Sequence, residues 1–170
     1  MPDLAWFNEL APEEAHAELL KCCGATRWAE TVERDRPYAS LEQLIAKATE
    51  VWWSLDERDW LEAFRSHPKI GERKAANTVS AQSQQWSAQE QQGVQNAAQE
   101  AIEKLARLNV DYEQKFGFIF IVCATGKSTD EILALLEQRL PNEASVELPI
   151  AAAEQAKIAE LRLRKLLDHP

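Results

Sequence analysis

One apolar run constrains the fold of this chain more than any other feature. Residues 116–126, FGFIFIVCATG, are rich in aromatic and β-branched residues, which is typical of a buried strand. The rest of the sequence offers this run no convincing strand partner, so we expect no sheet around it. The backbone polar groups of an extended segment without a sheet need other partners, and a polar ligand is one candidate. The sequence therefore predicts an all-α fold with one extended apolar segment near 117–125, and this segment hints at a site.

Helical patterns with clear start and stop signals cover most of the remaining chain. Ser40 with Gln43, and Ser128 with Glu131, have the spacing of a capping box. We find no repeat, low-complexity segment or linker, so residues 1–170 are predicted to form a single-domain helical bundle of about seven to nine helices. The predicted helices run from Pro12 to Cys23, from about Thr26 to Arg34, from Ser40 past Trp52, from Asp56 to His67, from Ser87 to about Lys115, from Ser128 to about Leu140 and from about Ala151 to Leu167.

Composition excludes several classes of protein. The formal net charge of -9 disfavours binding to nucleic acid. The amino terminus is acidic where a signal peptide would be basic, and no apolar stretch approaches the ~20 residues of a membrane span. The three cysteines, two of them adjacent at 22 and 23, fit neither a disulfide framework nor a zinc site. We therefore expect a soluble, cytoplasmic protein, and the absence of a peroxisomal Ser-Lys-Leu terminus favours a bacterial-type enzyme.

His67 is the first candidate for a functional side chain. It directly precedes Pro68, and the residue before a proline is disfavoured in the α region, so the helix is expected to end at this histidine. A histidine at a helix carboxyl end is often only a cap, because its cation complements the negative end of the helix dipole. The same position also suits a group that exchanges protons near neutral pH. On the residues alone, both interpretations stay open.

Glu90 also has two interpretations. Ser87 and Glu90 have the S-x-x-E spacing of a capping box, in which the carboxylate reaches back to the cap amide. The amino end of the same helix would also favour an anionic or amide-bearing ligand. The spacing favours capping, although the two roles need not exclude each other.

Other polar and aromatic residues have ordinary explanations on the residues alone. Arg162 and Arg164 are more typical of solvated helix charges than of ligand-binding groups. No cluster of His, Cys or carboxylate residues has the spacing of a metal site, so no metal is expected. The tryptophans are interpreted as core or interface packing, and they include Trp52, Trp53, Trp60 and Trp86.

Six segments together resemble one known family. In chain order they are CCGATRWA, RSHPKIG, WSAQEQQG, LNVDYEQKFGFIFIVCATGKS, EILALLEQRL and KIAELRLRKL. Their order and combination are similar to those of the OHCU decarboxylases, which act on 2-oxo-4-hydroxy-4-carboxy-5-ureidoimidazoline in the urate pathway. The resemblance spans nearly the whole chain, and it implies an all-helical fold, usually a homodimer, with no cofactor.

The resemblance also implies roles for particular residues. By position, His67 and Glu90 are the implied catalytic residues, and the backbone of 118–122 is the implied platform for the ureido and ring amides of the substrate. Arg162 is implied to hold an anionic or carbonyl group. Many family members have proline where this chain has Ile119, so the resemblance does not define the backbone path there. The implied substrate-binding residues are Pro68, Ser87, Gln91, Phe118, Ile119, Phe120, Ile121, Val122 and Arg162.

The implied reaction is decarboxylation to (S)-allantoin without a cofactor. The carbon that carries the carboxylate adjoins a ring carbon doubly bonded to nitrogen, so the C=N bond can accept the electron pair and no pyridoxal or thiamine is needed. Two other classes remain. A non-catalytic helical binding module would share the capping explanation of Glu90 and would not accelerate release of carbon dioxide. A hydrolase of a related hydantoin or imidazolone ring would open the ring and would be expected to need a metal.

Overall fold

The computed structural model describes residues 2–68 and 99–168, and these residues form α-helices and no strand. The expected all-α class is confirmed, and the described part contains eight helices, within the expected seven to nine. The helices are α1 (Leu4–Glu9), α2 (Pro12–Cys22), α3 (Thr26–Arg34), α4 (Leu41–Ser54), α5 (Glu57–Arg65), α6 (Gln99–Phe116), α7 (Thr129–Arg139) and α8 (Ala144–Leu167).

Helix starts follow the local capping signals of the sequence. The Ser40 hydroxyl accepts a hydrogen bond from the Gln43 backbone N–H at 3.1 Å, at the start of α4. The Ser128 hydroxyl accepts one from the Glu131 N–H at 3.2 Å, at the start of α7. These side chains satisfy N–H groups that the first helical turn leaves without a partner. The bounds predicted for α2 and α3 are confirmed to within one residue.

Two helix starts differ from the expectation. Helix α1 was not predicted, and it begins where the Asp3 carboxylate accepts a hydrogen bond from the Trp6 N–H at 2.8 Å. The predicted start of the last helix, near Ala151, is wrong, because α8 begins at Ala144 and contains Pro149. A proline inside a helix removes one hydrogen bond and normally argues against a continuous helix. Here the turn before Pro149 is held by tertiary contacts of Glu147, which is 0% exposed.

The described chain divides into two compact units. The first unit contains the described residues 2–63 and 156–168. In it, α2 packs against α3 and α3 packs against α4. The Trp28 indole N–H donates to the Ala48 carbonyl at 3.0 Å, which gives this buried ring a partner for its polar atom. Its largest fully buried side chains include Phe7, Leu19, Trp28 and Leu44.

The second unit contains the described residues 64–68 and 99–155. Here α6 packs against α7, and Gly117 ends α6 with a φ of 82°, a left-handed conformation that glycine adopts without strain. The apolar residues after Gly117 enter a core that lies between α6 and α7. The buried members of this core are Leu105, Tyr112, Phe120, Val122, Ala124, Ile132, Leu133 and Leu136.

A buried ion pair lies at the edge of this core. Arg139 and Glu147 are 6% and 0% exposed, and the Arg139 guanidinium donates to Glu147 Oε2 at 2.6 and 2.8 Å. The Tyr112 hydroxyl donates to the same oxygen, and Asn142 donates to Glu147 Oε1 at 3.2 Å. Burial and, next, the hydrogen bond to the Glu147 carboxylate raise the pKa of Tyr112 above its usual value. The phenol therefore remains a neutral donor to this carboxylate.

We predict that Arg139→Met strongly destabilises the protein. The substitution leaves the Glu147 carboxylate buried without its counter-charge, and removing one partner of a buried pair typically costs about 3–5 kcal/mol in the free energy of unfolding. Arg164→Met is the matched control, because Arg164 pairs with Glu42 and Glu160 at the surface. Urea unfolding of the three proteins measures the difference. Equal stabilities of the two variants would contradict a dominant role for the buried pair.

Candidate active site

His67 lies just beyond the carboxyl end of α5. Its backbone N–H donates to the Phe64 carbonyl at 3.2 Å, so the chain makes one more turn before Pro68. The predicted end of this helix at His67 is therefore correct to within two residues. His67 and Pro68 are both partly buried. The imidazole Nε2 lies 2.6 Å from Oε1 of Gln155, and an amide oxygen can only accept, so Nε2–H donates.

The segment after Gly117 belongs to no helix and has no strand partner in the described chain, so the expected absence of a sheet there is confirmed for the described residues. Side chains take the place of a sheet for part of its backbone. The Ile121 carbonyl accepts from the Arg139 guanidinium at 2.8 Å, and the Cys123 N–H donates to Glu154 Oε1 at 3.0 Å. The backbone N–H groups of 118–122 form no hydrogen bond with any described residue. These amides are thus donors that no residue among 2–68 and 99–168 uses.

The second unit brings His67 and this segment to neighbouring positions. The ring of Phe64, whose carbonyl binds the His67 N–H, lies 5.2 Å from the ring of Phe118. On α8, two consecutive residues reach both features, because Glu154 binds the Cys123 N–H and Gln155 binds the His67 imidazole. An imidazole and the segment that carries these backbone donors are therefore linked through two consecutive residues of α8. Such a set can orient a polar ring and exchange a proton with it.

Arg162 belongs to the first unit and is 4% exposed. Its interpretation as a solvated helix charge is therefore wrong, whereas the same interpretation holds for Arg164, which pairs with Glu42 and Glu160 at the surface. Arg162 lies close enough to Cys22 and Cys23 for its charge to lower both thiol pKa values, although burial outweighs that effect. A buried guanidinium is unusual and needs a structural or functional reason.

Four of the residues named in the sequence analysis, Trp86, Ser87, Glu90 and Gln91, lie outside the described residues. The first part of the helix predicted from Ser87 also lies outside them. Among residues 2–68 and 99–168, no group of three His, Cys, Asp or Glu side chains could hold a metal ion. No helix in this part of the chain is long and apolar enough to cross a membrane.

Sequence reasoning missed Gln155 and Glu154. Both lie in AAAEQAKIAEL, where a glutamine and a glutamate look like ordinary helix-forming residues. A signal existed for Gln155, because it occupies a position in the apolar stripe that also contains Ala151, Ala152, Ile158 and Ala159, all of them buried. A polar residue on such a stripe indicates a buried hydrogen-bond partner.

The geometry and the sequence agree with one family. The family model described as OHCU decarboxylase matches residues 8–164, and the chain belongs to this family. The earlier resemblance is therefore confirmed.

Curated relatives extend this match. The chain is 37% identical over 160 residues to the uric acid degradation bifunctional protein TTL of Arabidopsis thaliana, covering 94% of this chain and 49% of the relative. It is 30% identical over 174 residues to 2-oxo-4-hydroxy-4-carboxy-5-ureidoimidazoline decarboxylase of Amia calva, covering 99% of this chain and 96% of that protein. The chain thus spans about half the length of the plant relative. It spans 32% and 26% of the lengths of two bifunctional relatives from Bacillus.

Solved structures share the fold. A crystal structure of an OHCU decarboxylase in the presence of (S)-allantoin is 37% identical, with a TM-score of 0.76 over 89% of this chain and 98% of that chain. A structure of (S)-allantoin synthase has a TM-score of 0.74 at 19% identity, covering 98% of this chain and 54% of the other, and supports the fold alone.

We predict that the thiols of the folded protein are inert near neutral pH. Cys22, Cys23 and Cys123 are free and buried. Burial raises the pKa of Cys23 to about 12, and it raises that of Cys22 still further. Because the thiolate is the reactive form, a thiol-reactive disulfide reagent at pH 8 should not label the folded chain. In guanidinium chloride the same reagent should titrate three thiols, and rapid labelling without denaturant would contradict the burial.

Proposed function

We propose that this chain is a cofactor-independent decarboxylase that converts 2-oxo-4-hydroxy-4-carboxy-5-ureidoimidazoline to (S)-allantoin in urate degradation. The family match across residues 8–164 carries the proposal. The names of the relatives and the (S)-allantoin in the related crystal structure support the substrate and the product. The linked positions of His67 and the unused amides of 118–122 support a site for a polar ring.

The main task of the protein in this reaction is to transfer protons, because the C=N bond of the substrate itself accepts the electron pair. When the bond to the carboxylate breaks, its electron pair forms a new C=C bond in the ring, and the C=N electrons move to nitrogen, which takes up a proton. The hydroxyl then loses its proton as it becomes a carbonyl, and the ureido-bearing carbon gains one. One proton is therefore consumed as carbon dioxide leaves. Protonation of that carbon from one face produces a single enantiomer.

We assign the proton transfers to His67 and Glu90. The imidazole can accept and return a proton near neutral pH, which suits a step that both removes and adds protons. The backbone amides of 118–122 and the partly buried Pro68 would orient the ring, together with Ser87 and Gln91. Arg162 would hold an anionic or carbonyl group, and its burial supports that role, because a guanidinium in a dry environment binds anions strongly.

Three further features complete the proposal. The two compact units would form one OHCU decarboxylase domain, because a single family model extends over residues of both. The protein would act as a homodimer, as the family resemblance implies. It would work in the cytoplasm, which agrees with its three free cysteines.

The decisive experiment generates the substrate in place. Urate is treated with its oxidase and the following hydrolase, with and without this protein, and product circular dichroism and carbon dioxide release are recorded. Fast release with an (S)-allantoin signal supports the function. Racemic product at the spontaneous rate would exclude it, and ring opening that a chelator stops would point to a metal-dependent hydrolase instead.

We predict that His67→Asn lowers the rate of (S)-allantoin formation by about 100-fold or more, the usual scale of general acid–base catalysis. The far-ultraviolet circular dichroism should stay unchanged, because His67 lies beyond the end of α5. His16→Asn is the matched control, since His16 lies in α2 and has no part in the proposed chemistry. Full activity of the His67 variant would remove this residue from the mechanism.

We predict that Arg162→Lys lowers kcat/KM by about 10- to 100-fold, because lysine keeps the charge and loses the planar fork of donors. Arg164→Lys, two positions along α8, is the control and should leave kcat/KM unchanged. Thermal unfolding of both variants separates a binding effect from simple destabilisation. Unchanged kinetics for Arg162→Lys, with a lowered melting temperature, would make the role of Arg162 purely structural.

A further inference from the structure

Gln155 is a buried polar residue, and only one of its two side-chain polar atoms has a hydrogen-bond partner. It is 0% exposed, and its Oε1 accepts from His67 Nε2–H at 2.6 Å. Its amide nitrogen has no hydrogen-bond partner in the described structure. Most buried polar side-chain atoms in proteins are hydrogen-bonded, so an exception of this kind needs a reason.

The contact decides which nitrogen of His67 can exchange a proton. A neutral imidazole carries one N–H and one lone pair, and the hydrogen bond made by one nitrogen selects the tautomer. Because the Gln155 oxygen only accepts, Nε2 keeps its proton in both the neutral and the cationic ring. Proton uptake and release then occur at Nδ1. This hydrogen bond also restricts rotation of the His67 ring, because the Gln155 side chain is itself fully buried.

Stability alone does not explain a glutamine here. An unpartnered buried N–H group destabilises a folded chain, and an apolar side chain of similar volume would avoid that cost. Neighbouring positions of the same stripe, Ala151, Ala152 and Ile158, are apolar and buried. The oxygen of Gln155 is therefore the feature that distinguishes this residue from leucine or methionine, and its partner is His67.

We propose that Gln155 is a positioning residue that holds His67 as its Nε2–H tautomer and so confines the proton transfers of the reaction to Nδ1. This inference rests on the proposed function for its kinetic consequence, because only an acid–base role of His67 makes the tautomer matter for turnover. The tautomer itself is a property of the folded chain and can be measured without substrate.

The first test measures the tautomer directly. The full chain is labelled with ¹⁵N-histidine, and long-range ¹H–¹⁵N spectra distinguish a protonated Nε2 from a protonated Nδ1. The signals of His67 are identified by their loss in His67→Asn. We expect Nε2–H in the unaltered protein and in Gln155→Glu, which retains an acceptor oxygen, and a mixture of tautomers in Gln155→Leu and Gln155→Met. A protonated Nδ1 with a bare Nε2 in the unaltered protein, or no change in the apolar variants, would overturn the proposal.

The second test measures turnover and stability together. Gln155→Leu and Gln155→Met should lower kcat by about 10- to 100-fold with KM nearly unchanged, because orientation of the reacting group is lost while substrate contacts remain. Their melting temperatures should equal or exceed that of the unaltered protein. Gln138→Leu, at an exposed position of α7, is the control and should change neither. Undiminished kcat in folded Gln155 variants would refute the positioning role.

The two tests separate this inference from the proposed function. If the unaltered protein lacks decarboxylase activity, the proposed function fails, while the spectra still show whether Gln155 selects the tautomer. If the protein is active and the spectra of Gln155→Leu match those of the unaltered chain, the function stands and the positioning role fails.

Discussion

The Arg139 guanidinium is the group on which the second unit depends. It pairs with Glu147, donates to the Ile121 carbonyl at 2.8 Å and lies over the Phe120 ring at 4.5 Å from its centroid. Through these contacts one side chain of α7 joins the start of α8 to the segment after Gly117. A strand normally gains its backbone partners from a neighbouring strand, and here a charged side chain supplies one of them. Because the ion pair is buried, losing either member would leave a charge without compensation.

Anchoring the segment through side chains has a consequence for the site. A sheet would consume the amides of 118–122, whereas the contacts of Arg139 and Glu154 engage the Ile121 carbonyl and the Cys123 amide. The segment is fixed at these points and keeps a row of donors that no described residue uses. A rigid backbone with unused donors is well suited to recognise the amide oxygens of a planar ring, because little order is lost on binding. The apolar run thus serves both the core and the proposed site.

Local signals predicted most of the fold, and they failed where tertiary contacts decide the outcome. Ser40 and Ser128 cap helices as expected, because a capping hydrogen bond involves neighbouring residues that the sequence displays. The predicted start of α8 was wrong because Pro149 carries a strong local penalty. The buried contacts of Glu147 come from Tyr112, 35 residues away, and from Arg139 on the preceding helix, and a local pattern does not display either contact. Arg162 was misjudged from its residue type, because arginine is usually exposed, although its position seven residues after Gln155 on the buried stripe of α8 indicated burial. His67, by contrast, was singled out from its helix-ending proline and from the family resemblance, and its catalytic role stays a prediction.

Glu147 and Gln155 are both buried polar residues of α8, and they differ in how completely they are hydrogen-bonded. Both carboxylate oxygens of Glu147 have donors, from Arg139 and Tyr112 on one side and Asn142 on the other, as expected of a group that serves the fold. Gln155 is equally buried but satisfies its oxygen alone, and the partner of that oxygen is an imidazole. A protein under selection for stability would complete or remove such a half-used amide, because each unpartnered buried donor weakens the fold. The incomplete hydrogen bonding of Gln155, and not its burial, is therefore what supports the proposal that it positions His67.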